Sequence, residues 1–322
     1  MKLSIITVNY RAWSHLETAL DALGRDFPAD WELIVVDNES IASDLAEFSA
    51  RYPWVRFVAN SANSGFGHGC NLGAAAAAGE RLLFMNPDVQ ASVAEIRALL
   101  EEKERRPDVA ILAPKQVGLD GKPQKVFDEF PDVLNQSKTL KFLRNILFPG
   151  RKPDPRGNHE DLVYCDWVTG SVLLIDRTDY DAIGGWSSDY WMYVEDADLC
   201  KKAHDAGLRV AYTPNIRVIH VHGGSSRINV DIKSMTKLEV IISKHVYVEK
   251  YMSGMARRFA HFMISGLRLP GLLLASVADL LTLQKVPALR VRAKMLAGLL
   301  RYHWNVGRNG TWLSPRALRN SG

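Results

Sequence analysis

Three clusters in this 322-residue chain combine residue types and spacings that can do chemistry. In Asn86-Pro87-Asp88, two oxygen-bearing side chains stand one residue apart, and the proline between them fixes the backbone. Such a pair can share a hard cation, because Mg²⁺ or Mn²⁺ takes most of its remaining ligands from phosphates and water. Taken alone, such a tripeptide is more often a turn. In Trp191-Met192-Tyr193-Val194-Glu195-Asp196-Ala197-Asp198, three acids fall within four residues beside three aromatics, Trp191, Tyr193 and the preceding Tyr190. Capping and the helix dipole favour acids at a helix start, but three exceed what a cap requires. One of them could act as general base toward a sugar hydroxyl, with the aromatics as a platform or simply as core. The third cluster is Val36-Asp37-Asn38. Its carboxylate can accept from the imide N–H of uracil or thymine, or it can cap the next helix.

Two further motifs carry weaker signals. Asn63-Ser64-Gly65-Phe66-Gly67-His68-Gly69-Cys70-Asn71 is glycine-rich and leads into a helix pattern, but it follows the third strand and lacks dinucleotide-binding spacing. Its glycines would allow close backbone approach to a donor sugar or diphosphate at a helix N-terminus. Val218-Ile219-His220-Val221-His222 closes a strand pattern with two histidines. An imidazole beside a carboxylate and phosphates suits a metal, although a single histidine is also common as structure.

The elements that must position these groups alternate. Short apolar runs at 3–8, 33–36, 55–58, 81–85 and 109–112 have strand length. Helical patterns at 14–23, 43–52, 69–78 and 92–105 lie between them. This order predicts an α/β fold, a mostly parallel sheet with helices on both faces, which binds ligands at the carboxyl ends of its strands. Farther on, 166–175 reads as a strand, 196–206 as a helix, and 210–212 with 218–222 as a strand pair. The proline- and glycine-rich stretch 149–159 reads as a mobile loop of the kind that serves as a lid or binding segment.

From residue 227 onward the pattern is helical and basic, with 16 Lys+Arg against 4 Asp+Glu, or +12. The preceding part carries 24 against 32, or −8, within a chain total of +4. A basic tail rich in Leu, Met and Phe points toward an anionic membrane surface rather than nucleic acid, for which it has no recognition motif. Its most apolar stretch, 259–283, is interrupted by His261, Arg268, Pro270 and Asp279. An in-plane helix is therefore expected in preference to a spanning one, with packing on the catalytic domain or a second subunit as the alternative. Three widely spaced cysteines imply neither a disulfide framework nor a zinc site, and point to structural burial in a reducing cytoplasm.

Taken in order, Thr7-Val8-Asn9-Tyr10, Val36-Asp37-Asn38, Asn63-Ser64-Gly65-Phe66-Gly67, Asn86-Pro87-Asp88, Trp167-Val168-Thr169-Gly170-Ser171, Gly184-Gly185-Trp186, Tyr193 to Cys200 and Val218-Ile219-His220 resemble the family 2 glycosyltransferases. The likeness is greatest to bacterial rhamnosyltransferases of cell-surface polysaccharide assembly and covers about residues 1–226. It implies a GT-A fold, a nucleotide-diphosphate sugar donor, a divalent cation (Mg²⁺ or Mn²⁺) and inversion at the anomeric carbon. By position, the resemblance puts Thr7, Asn9, Tyr10, Asp37, Asn63, Gly65, Phe66, Gly67, Asn71, Asn86 and Asp88 on the donor side. Asp37 would hold the base, and Asp88, Asn86 and His220 the metal, with His222 competing for the last role. Asp196 would be the catalytic base beside Glu195, and Trp167, Gly170, Trp191, Tyr193 and Asp198 would face the acceptor. The motif departs from Asp-x-Asp at Asn86, as that branch commonly does.

The expected division is a nucleotide-sugar half at 1–115, an acceptor half at 116–226, and a helical, membrane- or partner-associating region at 227–322. The expected activity is transfer of L-rhamnose from dTDP-L-rhamnose to a lipid-linked saccharide, by a protein peripheral on the inner face of the plasma membrane and able to form a homo-oligomer. A UDP-hexose or galactofuranose donor, or a non-catalytic glycan-binding protein, are the alternatives. A nucleotidyltransferase is disfavoured, since Asn9-Tyr10-Arg11-Ala12-Trp13 is no phosphate loop.

Overall fold

The computed structural model describes residues 1–24, 26–39, 42–133, 135, 138–147, 153–155, 157, 159–221 and 229–317. They divide into two compact units. The first comprises Met1–Phe130, Lys152–Ser187 and Glu195–Ser225, and the second Pro131–Arg151, Ser188–Val194 and Ser226–Gly322.

The first unit begins as alternating strands and helices: β1 Leu3–Asn9, α1 Trp13–Gly24, β2 Trp31–Asn38, α2 Ala42–Arg51, β3 Arg56–Asn60, α3 Phe66–Ala76 and β4 Arg81–Met85. It continues with β5 Val89–Gln90, α4 Val93–Arg105, β6 Val109–Val117 and β7 Phe127–Asp128. In the second unit lies α5 Lys138–Leu147. The first unit then resumes with β8 Val163–Tyr164, β9 Trp167–Val168, β10 Val172–Asp176, α6 Arg177–Ala182, α7 Glu195–Asp205 and β11 Arg209–His220. Among the described residues, the main sheet runs β3-β2-β1-β4-β10-β6-β11-β5, with β8 also paired to β11. Strands β1 to β4 are parallel, β6 pairs parallel with β11, and β10 lies antiparallel between β4 and β6.

Alternation along the central strands explains why the sheet needs helices on both faces. Leu3 and Ile5 of β1, with Leu33 and Val35 of β2, face a core completed by Leu16 and Leu20 of α1 and Ile96 and Leu99 of α4. Ile6, Val8, Ile34 and Val36 face the opposite core, with Cys70 of α3 and Leu199 and Cys200 of α7. Strands buried on both sides read as continuous apolar runs, which is how β1 and β2 appear in sequence. All three cysteines are free and buried, as expected.

Two expected elements are corrected. The run 166–175 is not one strand. It breaks after Val168 and resumes at Val172, and the interruption carries Gly170. Conversely, 210–212 and 218–222 are not a strand pair but parts of one strand, β11, whose register against β6 shifts between Thr213 and Arg217. His222 and the glycines after it lie outside the described residues, as does most of the expected loop at 149–159.

The second unit is helical, as the tail's pattern predicts: α8 Val230–Tyr251, α9 Gly254–Ser265, α10 Leu269–Leu281 and α11 Pro287–Asn309. The Asn229 side chain caps α8 by accepting from Ile232 N at 2.9 Å. Ile241, Ile242, Ala260, Ile264, Leu272, Leu296 and Leu299 form its core.

Candidate active site

The carboxyl ends of β1, β2, β3 and β4 bring together groups far apart in sequence. Asn9 and Asp37 end neighbouring strands in register, and Asn9 Nδ2 donates to Asp37 Oδ1 at 3.3 Å. Asn9 Oδ1 accepts from Ala12 N, which turns the chain into α1. Both residues are buried, and so is Thr7. Tyr10, half-buried at the exit of β1, lies under the Arg11 guanidinium at 5.3 Å.

The glycine-rich loop is held by an amide clamp that sequence reasoning did not single out. Asn38 Nδ2 donates to Asn63 Oδ1 at 3.2 Å and to Gly65 O at 3.1 Å. Asn60 Nδ2 donates in turn to Asn38 Oδ1 and Ser64 Oγ. Gly65, at φ 96°, is the N-cap of α3 and needs glycine's freedom. The remaining glycines answer to packing. A Cβ on Gly69 would come within 2.8 Å of Val8 Cγ1, and one on Gly67 within 3.2 Å of Ser187 O. Close approach here is of helix to sheet at Gly69 and of helix to the Trp186–Ser187 segment at Gly67. Asn71 uses both ends of its amide within the fold, donating to Trp186 O and accepting from Tyr180 Oη and Trp186 N. Phe66 sits edge-on to Trp186 at 5.4 Å.

Asp88 and His220 meet through strand pairing. β5 follows Asp88 directly and runs antiparallel to the end of β11, with Val89 opposite His220. Val221 N donates to Asp88 O, and His220 Nε2 lies 3.3 Å from Asp88 Oδ1. Burial alone would raise the Asp88 carboxyl, but the His220 hydrogen bond and charge outweigh it and hold Asp88 below the usual range. The other ring nitrogen, Nδ1, is 2.9 Å from Gln116 Oε1, which also accepts from Ser171 Oγ at 2.8 Å. Gln116 therefore orients the imidazole with Nδ1–H outward to the amide and Nε2 toward Asp88, the arrangement usual behind metal-bound histidines. Asn86 is half-buried, and its backbone N–H donates to Ser171 O at 2.9 Å. Among the described residues no group of three His, Cys, Asp or Glu side chains converges as a complete cation cage. A carboxylate and an imidazole held on an amide do fit a cation whose other ligands are phosphate and water.

Asp196 sits in the first turn of α7. Its Oδ2 accepts from Gly170 N at 3.2 Å and its Oδ1 from Ala197 N at 2.9 Å. Burial pushes this carboxyl above the usual range, and those N–H groups only partly offset it. Glu195 and Asp198 are buried, Asp198 completely. Gly170 has no room for a side chain, since a Cβ would meet Trp186 Cη2 at 2.9 Å. Trp167 donates from Nε1 to Glu129 O at 2.8 Å. Trp191 and Tyr193 belong to the second unit. There the Arg316 guanidinium lies 5.1 Å over the Trp191 ring, and Ser243 Oγ donates to Met192 O. Tyr193 and Val194 adopt φ of 71° and 69°, which is strained for a non-glycine pair and most so for the β-branched valine.

The break in the strand at 169–171 joins the two halves of the site. Gly170 donates to Asp196, while its neighbour Ser171 binds Gln116 by its hydroxyl and Asn86 by its carbonyl. Gln116 was missed in sequence because the run at 109–112 reads as ending before it, whereas β6 continues to Val117.

A family model described as glycosyl transferase family 2 matches residues 4–165, half of the chain. The chain belongs to glycosyl transferase family 2. A second model, described as the N-terminal domain of galactosyltransferase, matches residues 162–225. One relative is the N-acetylglucosaminyl-diphospho-decaprenol L-rhamnosyltransferase of Mycobacterium tuberculosis. It is 28% identical over 242 residues, covering 68% of this chain and 75% of that protein. Rhamnosyltransferase WbbL of Escherichia coli is 23% identical over 227 residues, covering 67% and 82%. Among solved structures, the mannosyltransferase PcManGT of Pyrobaculum calidifontis, in complex with GDP-Man and Mn²⁺, superposes with a TM-score of 0.54 at 16% identity, covering 94% of this chain and 87% of that one. GalNAc-T7 with UDP, GalNAc and Mn²⁺ gives 0.53 at 15% identity, covering 78% and 50%. The fold is GT-A, and the family 2 chain is a glycosyltransferase related to rhamnosyltransferases.

Proposed function

We propose that this glycosyltransferase moves L-rhamnose from dTDP-L-rhamnose to a lipid-linked saccharide in cell-surface polysaccharide synthesis, with inversion and with a divalent cation. The observation that carries the reading is the link through Gly170 and Ser171, which places a carboxylate of raised pKa one residue from the network around Asp88 and His220. A base with a raised pKa is suited to removing a hydroxyl proton near neutral pH. The rhamnosyl donor is supported by the names of relatives at 28% and 23% identity.

In this reading Asp37 accepts from the imide N–H of the base, and Asn9 holds its carboxylate in place. Asp196 removes the proton of the acceptor hydroxyl as that oxygen attacks the anomeric carbon from the face opposite the diphosphate. The bond from the anomeric carbon to the diphosphate oxygen breaks, and dTDP leaves. A cation bound by Asp88, with Asn86 and His220, would neutralise charge on the leaving diphosphate as a Lewis acid. Glu195 and Asp198, both buried beside it, organise the acceptor side. The basic second unit would keep the protein peripheral on the inner face of the plasma membrane, where a lipid-linked acceptor is presented.

A second reading keeps the mechanism and changes the donor. Asp37 accepts equally from uracil and thymine, and the match to a galactosyltransferase domain favours a UDP-hexose or UDP-galactofuranose. The test is turnover of a panel of nucleotide sugars with Mg²⁺, Mn²⁺ or chelator, comparing wild type with Asp196→Asn. Metal-dependent dTDP release from dTDP-L-rhamnose, lost in the variant, is the expected result. Release of UDP alone selects the second donor class. Turnover of no donor, with membrane extract supplied as acceptor, would leave a glycan-binding protein.

A further inference from the structure

Helix α10 is built inside out for a helix on the surface of a soluble unit. Leu272, Ala275 and Asp279 face inward, whereas Leu273, Leu274, Val277, Leu280 and Leu281 form the outward stripe. Their i, i+1, i+4, i+7, i+8 spacing is one helix face, the face that is normally polar. Leu274 is 73% exposed and Leu281 79%. Met255, Phe259 and Phe262 form an outward stripe of the same kind on α9, opposite Ala260 and Ile264, and Leu283 and Val286 extend the exposure beyond α10. Isolated exposed apolar residues need no explanation, but a run of this length marks an interaction surface.

Charge selects the occupant. Residues 253–317 contain ten Lys+Arg and one acid, Asp279, which is buried. Arg258 lies within the α9 stripe and Lys285 between Leu283 and Val286, both exposed. A second copy meeting this face by twofold symmetry would set cation against cation. An anionic bilayer offers acyl chains to the stripe and headgroups to its basic flanks. The stretch Gly254–Leu281 is long and apolar enough to span a membrane by length and composition. However, Ala260, Ile264 and Leu272 on its inner face are packed with α8 and α11, and the helix is interrupted at 266–268 beside Arg268. Spanning would strip that packing away.

We propose that the outward face of α9 and α10 is an in-plane docking surface for an anionic lipid bilayer, with the apolar stripe entering the headgroup–acyl boundary. It builds on the membrane-side acceptor proposed above, and it is read without turnover, so either reading can fail alone. The test floats the full chain with phosphatidylcholine vesicles, with and without phosphatidylglycerol. Wild type is expected to float with the anionic vesicles and to be partly released by salt. Leu274→Glu with Leu281→Glu should lower the bound fraction by about tenfold or more, with unchanged circular dichroism and melting. Arg258→Gln with Lys285→Gln should weaken binding to anionic vesicles alone. Wild type that stays in solution with both vesicle types would overturn the proposal. So would a wild-type dimer in sedimentation equilibrium that the double leucine variant dissociates, since a second copy would then cover the face. Donor turnover by the same preparations separates the two readings. Turnover without vesicle binding removes the lipid surface alone, whereas vesicle binding without turnover supports it and removes the transferase reading.

Discussion

His220 Nε2 lies 3.3 Å from Asp88 Oδ1, although 132 positions separate them, because β5 pairs with the last residues of β11. The imidazole is held from behind by Gln116, so a residue of β6, the last residue of β11 and the turn residue before β5 act as one unit. Gln116→Ala should weaken Mn²⁺ affinity by roughly 10- to 100-fold, the usual cost of losing an orienting partner. Asp88→Asn should weaken it further. Calorimetric titration with Mn²⁺ in the presence of dTDP measures both, and equal affinity in Gln116→Ala and wild type would remove the orienting role.

Asp196 accepts from Gly170 N with Oδ2 and from Ala197 N with Oδ1, and an asparagine of the same shape keeps one of these two bonds through its amide oxygen. Asp196→Asn should therefore keep the fold and dTDP affinity while lowering turnover by on the order of 10²–10⁴-fold. Loss of nucleotide affinity together with rate would instead mean that the residue shapes the donor pocket.

Gly73 of α3 packs on the sheet so closely that a Cβ would sit 2.4 Å from Ile6 Cγ2 and 3.2 Å from Val36 Cγ2. Gly73→Ala should destabilise the first unit by about 1–3 kcal/mol through overpacking. Urea unfolding followed by circular dichroism measures it, and an unchanged midpoint would show that α3 can shift freely.

In the second unit, fully buried His245 meets His261 Nδ1 and Ser265 Oγ, each at 2.7 Å. Burial, with the charges of His261, His303 and Arg268, pushes His245 down from 6.5 to about 2. Below the unfolded value the unfolded chain binds a proton that the folded unit refuses. Stability is thus complete above pH 6.5 and falls as pH drops, by on the order of 1.4 kcal/mol per pH unit for this one group. His261 is also lowered by burial, with Glu249 opposing, and adds in the same direction. Melting temperatures of wild type and His245→Asn between pH 7 and pH 5 measure the slope, which should flatten in the variant.

The local patterns reach far in this protein. Continuous apolar strands alternating with amphipathic helices encode a two-faced α/β sheet, because each strand must be covered on both sides. The acids at strand ends and at the start of α7 were visible as chemistry through their spacing, and Arg81–Met85 matches the strand read from sequence residue for residue. What periodicity could not disclose was pairing between distant segments. The break at Gly170 hides inside an apolar run, Gln116 sits past the apparent end of its strand, and His220 reaches Asp88 only through the β5–β11 ladder. The outward leucines of α10 repeat with a helix period whichever way the helix is turned. Composition recorded that this helix is apolar and its surroundings basic. Only packing against α8 and α11 decided which side was buried, and so which side was left for something outside the chain.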